Sequence, residues 1–285
     1  MKTSTIMLAI TASILLFVVS VAAIALDDGG SSYAFTSIQG ETVEIYGGAG
    51  PYRHDSAYKA IAFRSFDWVS LVIAFPLFLL GIFLYRRGRL LGQLLLASLF
   101  TYLAYIYLIG FMGNTFNGLF LGWVALFSVG GFGLALIISE LDFSSLPQKL
   151  SGHFPGKPVA IYLFSVAVIL TAQYLAEIIT AYLDGVPPLS LDHYTTLELA
   201  GVELGIMIPL HILSGVLLWR QKALGYVLAT VLAFAAFVVF IALTISLFLS
   251  YFLYGQGSWT DIGITTGITI VSAVFSLAIF RQLKE

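Results

Sequence analysis

Residues 223–253 read ALGYVLATVLAFAAFVVFIALTISLFLSYFL, without a charged side chain anywhere in the run. A helix needs about 20 apolar residues to cross the hydrocarbon core of a bilayer, so this stretch spans a membrane with length to spare. Seven more stretches qualify: 5–26, 68–85, 90–112, 117–139, 158–182, 196–219 and 262–280. Gly113-Asn114-Thr115 joins the third to the fourth, and Arg86-Arg87-Gly88-Arg89 joins the second to the third. Connections this short force antiparallel neighbours. The expected fold is a single all-α membrane domain over residues 1–285, an up-and-down bundle of eight transmembrane helices.

Composition agrees. The chain is 59% hydrophobic and only 10% charged, whereas a soluble domain carries roughly 25% charged residues. A soluble enzyme, a disordered tail and a disulfide-stapled scaffold are excluded. With no cysteine there is no Cys-ligated zinc or iron–sulfur centre, and 13 basic against 15 acidic residues provide no field for nucleic acid.

The basic residues set the expected orientation, because cytoplasmic loops collect Lys and Arg. With both termini inside, the inner face receives Lys2, Arg86, Arg87, Arg89, Lys149, Lys157, Arg220, Lys222, Arg281 and Lys284. The outer face receives only Arg53, Lys59 and Arg64. Lys2, the apolar run and Ala23-Ile24-Ala25 also resemble a cleavable signal. The length of the run favours an uncleaved anchor. No repeat is visible by eye, and the inner loop 140–157 reads as a plain connector.

One long outer loop, 27–67, interrupts this pattern. Residues 32–38 and 42–46 are β-prone around a Gln39-Gly40-Glu41 turn, which predicts a hairpin. After Asp55 an amphipathic interfacial helix is expected to lead into the second span, with Lys59 and Arg64 directed to water or headgroups. Small-xxx-small spacings at Gly118/Gly122, Gly201/Gly205 and Gly263/Gly267 predict that spans four, six and eight converge near their outer ends.

Polar residues inside a bilayer carry the functional signal, since a charge at mid-membrane costs at least about 2.5 kcal/mol. Gln173, Glu177 and Thr180 share a face of the fifth span; Glu203 and Ser214 share one on the sixth, with His211 nearby. Glu177 and Glu203 lie at similar depth, so a facing carboxylate pair binding a proton or cation is expected, with Gln173 and His211 as secondary contacts. Pro209 cannot donate a hydrogen bond to Gly205 and should distort the helix between Glu203 and His211. Asp261, Thr265, Thr269, Ser272 and Ser276 form one stripe on the eighth span, read as packing. Tyr102, Tyr105 and Tyr107 read as core rather than as a quinone or haem pocket.

No cofactor is expected. His54, His193, Asp192 and Glu198 lack metal-ligand spacing, and a bis-histidine haem would need a second intramembrane histidine beside His211. No P-loop, G-x-S-x-G or dinucleotide fingerprint occurs, and no span contains the lysine that a retinal Schiff base requires.

Between residues 52 and 127, four segments recur in order: Tyr52-Arg53-His54-Asp55-Ser56, Phe63-Arg64-Ser65-Phe66-Asp67-Trp68, Tyr102-Leu103-Ala104-Tyr105-Ile106-Tyr107 and Asn117-Gly118-Leu119-Phe120-Leu121. This quarter of the chain resembles a widespread group of prokaryotic multi-pass membrane proteins without an assigned activity, many of which carry Gly where Ser65 stands. The resemblance implies the plasma membrane of a prokaryote. It also directs attention to an outer-boundary cluster of Arg53, Asp55, Arg64, Asp67 and Asn117, in which Arg53 or Arg64 would pair with Asp67, Glu177 or Glu203. Three functions follow as expectations: proton- or cation-coupled transport of a small solute through the carboxylate pair; an enzyme acting on a lipid or quinone at the outer interface; or a non-catalytic accessory or sensor subunit. Membrane lipids are the partners in each case.

Overall fold

The computed structural model describes residues 2–143, 146–149 and 154–283. Eight of its helices are long and apolar enough to cross a membrane. They are α1 (Thr3–Ala25), α2 (Ala57–Arg86), α3 (Leu90–Gly113), α4 (Phe120–Ser139), α5 (Gly156–Asp184), α6 (Glu198–Trp219), α7 (Ala223–Tyr254) and α8 (Trp259–Arg281). They alternate in direction, so the 26–56 segment lies at one end, the cap end, and the arginine-rich turns at the other. The expectations for His153, Lys284 and Glu285, and for residues 144, 145 and 150–153 of the inner connector, fall outside the described residues.

The cap carries the expected hairpin. Strand β1 (Tyr33–Thr36) pairs antiparallel with β2 (Thr42–Ile45), Tyr33 opposite Ile45 and Thr36 opposite Thr42. Gly40 closes the turn at φ +89°, where a Cβ would be strained. Ser56 then caps α2 by accepting the Lys59 amide at 3.3 Å. The helix begins at Ala57 and runs unbroken into the second span, well before the hydropathic stretch starts at 68. Its first turns pack against α7 inside the bundle rather than lying in the interface. Lys59 and Arg64 turn inward to acidic partners.

Helices α3 and α7 form the centre. Leu96, Leu99, Phe100, Tyr102 and Leu103 of α3 are fully buried, as are Val227, Ala233, Val238 and Ala242 of α7. Around them the chain is built twice. Residues of the α2–α3 hairpin recur in the α6–α7 hairpin at a constant spacing of 133 (209 − 76 for the prolines) without a gap. Pro76 matches Pro209, Leu77 Leu210, Leu84 Leu217, Arg87 Arg220, Gly92 Gly225, Leu95 Leu228 and Leu99 Leu232. The geometry recurs with the sequence. Each first helix contains one π-helical turn, Ser70–Ala74 and Glu203–Met207, and the proline follows it at the same distance. Each three-residue turn has its middle residue in the left-handed region, Gly88 at φ +75° and Gln221 at +56°. In each, a glycine lets the second helix start against the backbone of the first. A Cβ on Gly92 or Gly225 would stand 2.3 Å from the amide nitrogen of Tyr85 or Leu218 respectively.

The surrounding helices follow the same plan. α1 packs on α2 and α4, and α5 packs on α6 while bonding α8 through Tyr162 and Ser272. α4 packs on α3, and α8 on α7. Between the halves α2 meets α7, α6 meets α3, and α3 meets α7, which is the exchange that a two-fold axis along the helices requires. The repeat escapes inspection because most matched residues are leucines, the commonest residue in any span.

The glycine spacings do not have the role expected of them. Gly118, Gly201, Gly205, Gly263 and Gly267 face open space, with nothing within 4 Å of an added Cβ. Of the six, Gly122 alone makes a close approach, and it is to α1 rather than to α6 or α8: a Cβ there would lie 2.8 Å from the Val19 side chain. Other close approaches fall outside these spacings, as at Gly130, where a Cβ would lie 2.7 Å from the Ala104 amide nitrogen. Small size permits contact, and the rotation of the helix decides whether contact occurs.

Candidate functional site

Proline 209 has no N–H to give, and its ring crowds the carbonyl four residues earlier. The helix absorbs this by widening, so that the Ile208 amide bonds the Glu203 carbonyl across five residues. Such π-turns frequently mark functional positions. Below and above this turn α6 presents Glu198, Glu203, His211 and Ser214 to the interior, all buried. Glu203 receives the hydroxyl proton of Tyr105 on Oε1, and its Oε2 has no protein partner. Because α6 belongs to the second repeat and α3 to the first, this bond crosses the interface between them. Tyr174 of α5 lies within electrostatic reach of the same carboxyl. His211 Nδ1 stands 2.7 Å from the Met207 carbonyl. An oxygen only accepts, so Nδ1 carries the proton and Nε2 keeps a lone pair without a donor. Ser214 Oγ is likewise unpartnered.

The repeat shows that the fold does not demand these groups. At the matched positions of α2 stand Ser70, Phe78 and Gly81, buried as their counterparts are. Ser70 also bonds an α3 tyrosine, Tyr102, at 2.8 Å, so the first repeat keeps the hydroxyl contact but carries no titratable side chain there.

The other intramembrane residues singled out from sequence are arranged differently. Glu177 accepts the Ser190 amide at 2.7 Å, closing the loop after α5, and no hydrogen bond joins it to Glu203. Gln173 is exposed on the outer surface of α5. Three members of the α8 stripe are satisfied by neighbours: Thr265 and Thr269 bond carbonyls one turn back, Thr244 meets Thr269, and Ser272 bonds Tyr162. Asp261 is exposed beside Ser258, and the buried Ser276 hydroxyl has no partner. Tyr102 and Tyr107 are core residues, whereas Tyr105 is the partner of Glu203.

At the cap end a second polar cluster joins both repeats. Asp55 is fully buried, and its Oδ1 accepts the Thr115 amide at 2.7 Å and the Tyr194 hydroxyl at 2.8 Å. Ser56 donates to Asp192 at 2.6 Å. The Lys59 ammonium bonds Glu198 at 2.5 Å and the Gly113 carbonyl at 2.9 Å, and sits 3.6 Å from the centre of the Tyr194 ring. Burial pushes the Asp55 carboxyl up to about 6, against the opposing pull of the Thr115 amide, the Tyr194 hydroxyl and Lys59. Burial also raises Asp192 and lowers His193.

The remaining boundary residues are dispersed. Arg64 pairs with Asp27, which also accepts the Tyr46 hydroxyl. Asp67 accepts the Tyr52 hydroxyl at 2.6 Å, and Arg53 donates to His54 at 3.0 Å. Asn117 shapes the α3–α4 turn by accepting the Leu119 amide and donating to the Thr115 carbonyl. Among the described residues no three His, Asp or Glu side chains gather closely enough to hold a metal ion. From sequence, His54-Asp55 and Asp192-His193 could be brought together over Glu198 only as a weakly supported metal site; Lys59 and Tyr194, which complete the network, carried no signal. The sequence matches no family model, and neither a curated protein nor a solved structure is detectably similar to it.

Proposed function

We propose that this polytopic membrane protein is a proton-coupled transporter of a small solute, with Glu203 as its proton site and the cap end facing outward. The observation that carries the reading is the position of Glu203. It is a buried carboxyl on a distorted helix at the interface of two same-direction repeats, half satisfied by a tyrosine and half without a partner. Transporters built from such repeats place their coupling-ion sites at that interface, on irregular helices. A dry carboxyl favours its neutral form, so a proton suits the site better than a metal cation, for which the neighbouring groups supply few oxygens. His211 and Ser214 continue the polar file toward the arginine end, His211 about 12 Å further along the axis at 1.5 Å per residue. Orphaned polar groups in an apolar interior cost about 1–3 kcal/mol each, and three on one helix face support a path that carries a mobile partner. The excess of Lys and Arg at the arginine end supports placing that end in the cytoplasm, and the resemblance carried by residues 52–127 supports a prokaryotic cell.

The test uses purified protein in liposomes with an internal pH dye. An imposed pH gradient should drive proton entry that Glu203→Gln abolishes and His211→Phe slows at least tenfold. A flux equal in the wild type and Glu203→Gln rejects the assignment. Protein-dependent binding of a lipid headgroup at the cap with no proton flux favours an interfacial role instead.

A further inference from the structure

Asp55 differs from every other buried acid near the cap in what it holds together. Its carbonyl accepts the Tyr46 amide at 2.9 Å and its amide donates to Tyr52 at 3.0 Å, fixing the segment between β2 and α2. Its Oδ1 holds the α3–α4 turn through the Thr115 amide and the α5–α6 loop through the Tyr194 hydroxyl. Its Oδ2, in a side chain with no exposed surface, has no partner at all. The side chains facing this carboxyl are known from each neighbouring element. Tyr194 of the α5–α6 loop and the Thr115 hydroxyl of the α3–α4 turn stand against it, Lys59 of α2 acts on it electrostatically, and Tyr52 of the cap lies within electrostatic reach with its hydroxyl committed to Asp67. Glu198, Asp192 and His193 lie one step further out, around Lys59 and Tyr194. The cation that acts on it, Lys59, gives its hydrogen bonds to Glu198 and Gly113.

We infer that Asp55 is a proton-binding latch: the cap, the α3–α4 turn and the α5–α6 loop stay closed together when it is protonated and part when it is ionised. Ionised and closed, the carboxylate leaves one oxygen in a dry site without a hydrogen bond. Parting the three segments lets water reach that oxygen. The neutral acid has no such need. The contact chain runs from Asp55 to Tyr194, from the Tyr194 ring to Lys59, and from Lys59 to Glu198 at the start of α6. Opening therefore uncovers the cap-end terminus of that helix. This inference is independent of proton passage at Glu203.

The direction follows from linkage. The closed state binds the proton more tightly than a hydrated aspartate does, with the carboxyl raised to about 6 from 3.8. Closure is therefore favoured as pH falls through about 6 and lost as pH rises through it, by about tenfold between pH 7.5 and pH 5.

The chain contains no cysteine, so a single introduced thiol reports opening cleanly. In the full-length protein in lipid nanodiscs, Thr115→Cys places the thiol where a buried hydroxyl now stands. Ile38→Cys, at a residue 81% exposed, supplies the rate of an open thiol at each pH. The ratio of maleimide labelling rates, Thr115→Cys over Ile38→Cys, should rise about tenfold from pH 5 to pH 7.5. Adding Asp55→Asn should hold it at the low value throughout. Adding Tyr194→Phe removes a donor to the ionised oxygen and should move the midpoint to higher pH, which keeps the test decisive if Asp55→Asn fails to fold. A flat ratio, a rise that survives Asp55→Asn, an unmoved midpoint in Tyr194→Phe, or loss of the rise in Asp192→Asn or His193→Gln would each overturn the latch.

Discussion

Lys59→Met should be among the most destabilising single changes at the cap end, and its cost follows from what the ammonium leaves behind. Only 14% of the Lys59 side chain and 6% of the Glu198 side chain is exposed, and the two meet at 2.5 Å. Removing the amine strands a buried carboxylate and the Gly113 carbonyl together. Breaking one side of a buried pair costs about 3–5 kcal/mol; with Lys59 slightly open to solvent we expect about 3. Glu198→Gln should cost less, about 1–2 kcal/mol, because the ammonium keeps the Gly113 carbonyl and the Tyr194 ring at 3.6 Å. The double variant Lys59→Met/Glu198→Gln leaves no orphaned charge and should recover most of the loss. The assay is reversible unfolding in mixed micelles followed by circular dichroism, analysed as a double-mutant cycle. A double variant whose cost equals the sum of the two singles would refute the argument, since it would mean that neither group feels the other.

Other outcomes are equally specific. Gly92→Ala and Gly225→Ala should each prevent accumulation of folded protein, because the new Cβ meets backbone at 2.3 Å, while Gly201→Ala and Gly263→Ala should leave the melting temperature unchanged or raise it slightly. Gln221→Gly should stabilise by about 1 kcal/mol by relieving a left-handed non-glycine residue, and Gly88→Gln should destabilise by a similar amount, both read from unfolding midpoints. For Asp55, whose carboxyl is raised in the fold, the stability it contributes is fully present below 3.8 and lost as pH rises through about 6. The wild type should therefore lose stability relative to Asp55→Asn over pH 5 to 7, and parallel melting curves for the two proteins would contradict this.

The spans were legible because a run of about 20 apolar residues needs no tertiary context to declare itself. The start of α2 was not, since Lys59, Arg64 and Asp67 lower the local hydropathy. They enter the bundle only because Glu198, Asp27 and Tyr52, distant in sequence or across a loop, satisfy them. Depth along a helix can be counted from residue numbers, but rotation cannot. Counting puts Glu177 and Glu203 at a similar depth, yet the first is claimed by an amide thirteen residues further along its own chain. Pro209 announced a distortion, and its form as a π-turn became visible only beside its twin before Pro76. Tyr105 carried no mark separating it from Tyr102 and Tyr107.

The doubling of the chain has a consequence for how the protein is made. A unit of four crossings starts and finishes on the same face, so a second copy placed behind the first is threaded by the translocation machinery in the same sense, with no inversion of its topogenic charges. The link between copies has only to travel sideways along one surface. The two halves, made as separate polypeptides, should each insert correctly and find one another in the bilayer. One half is then free to drift in sequence while the other preserves the scaffold. His211, standing where its counterpart is Phe78, is a difference that such freedom allows.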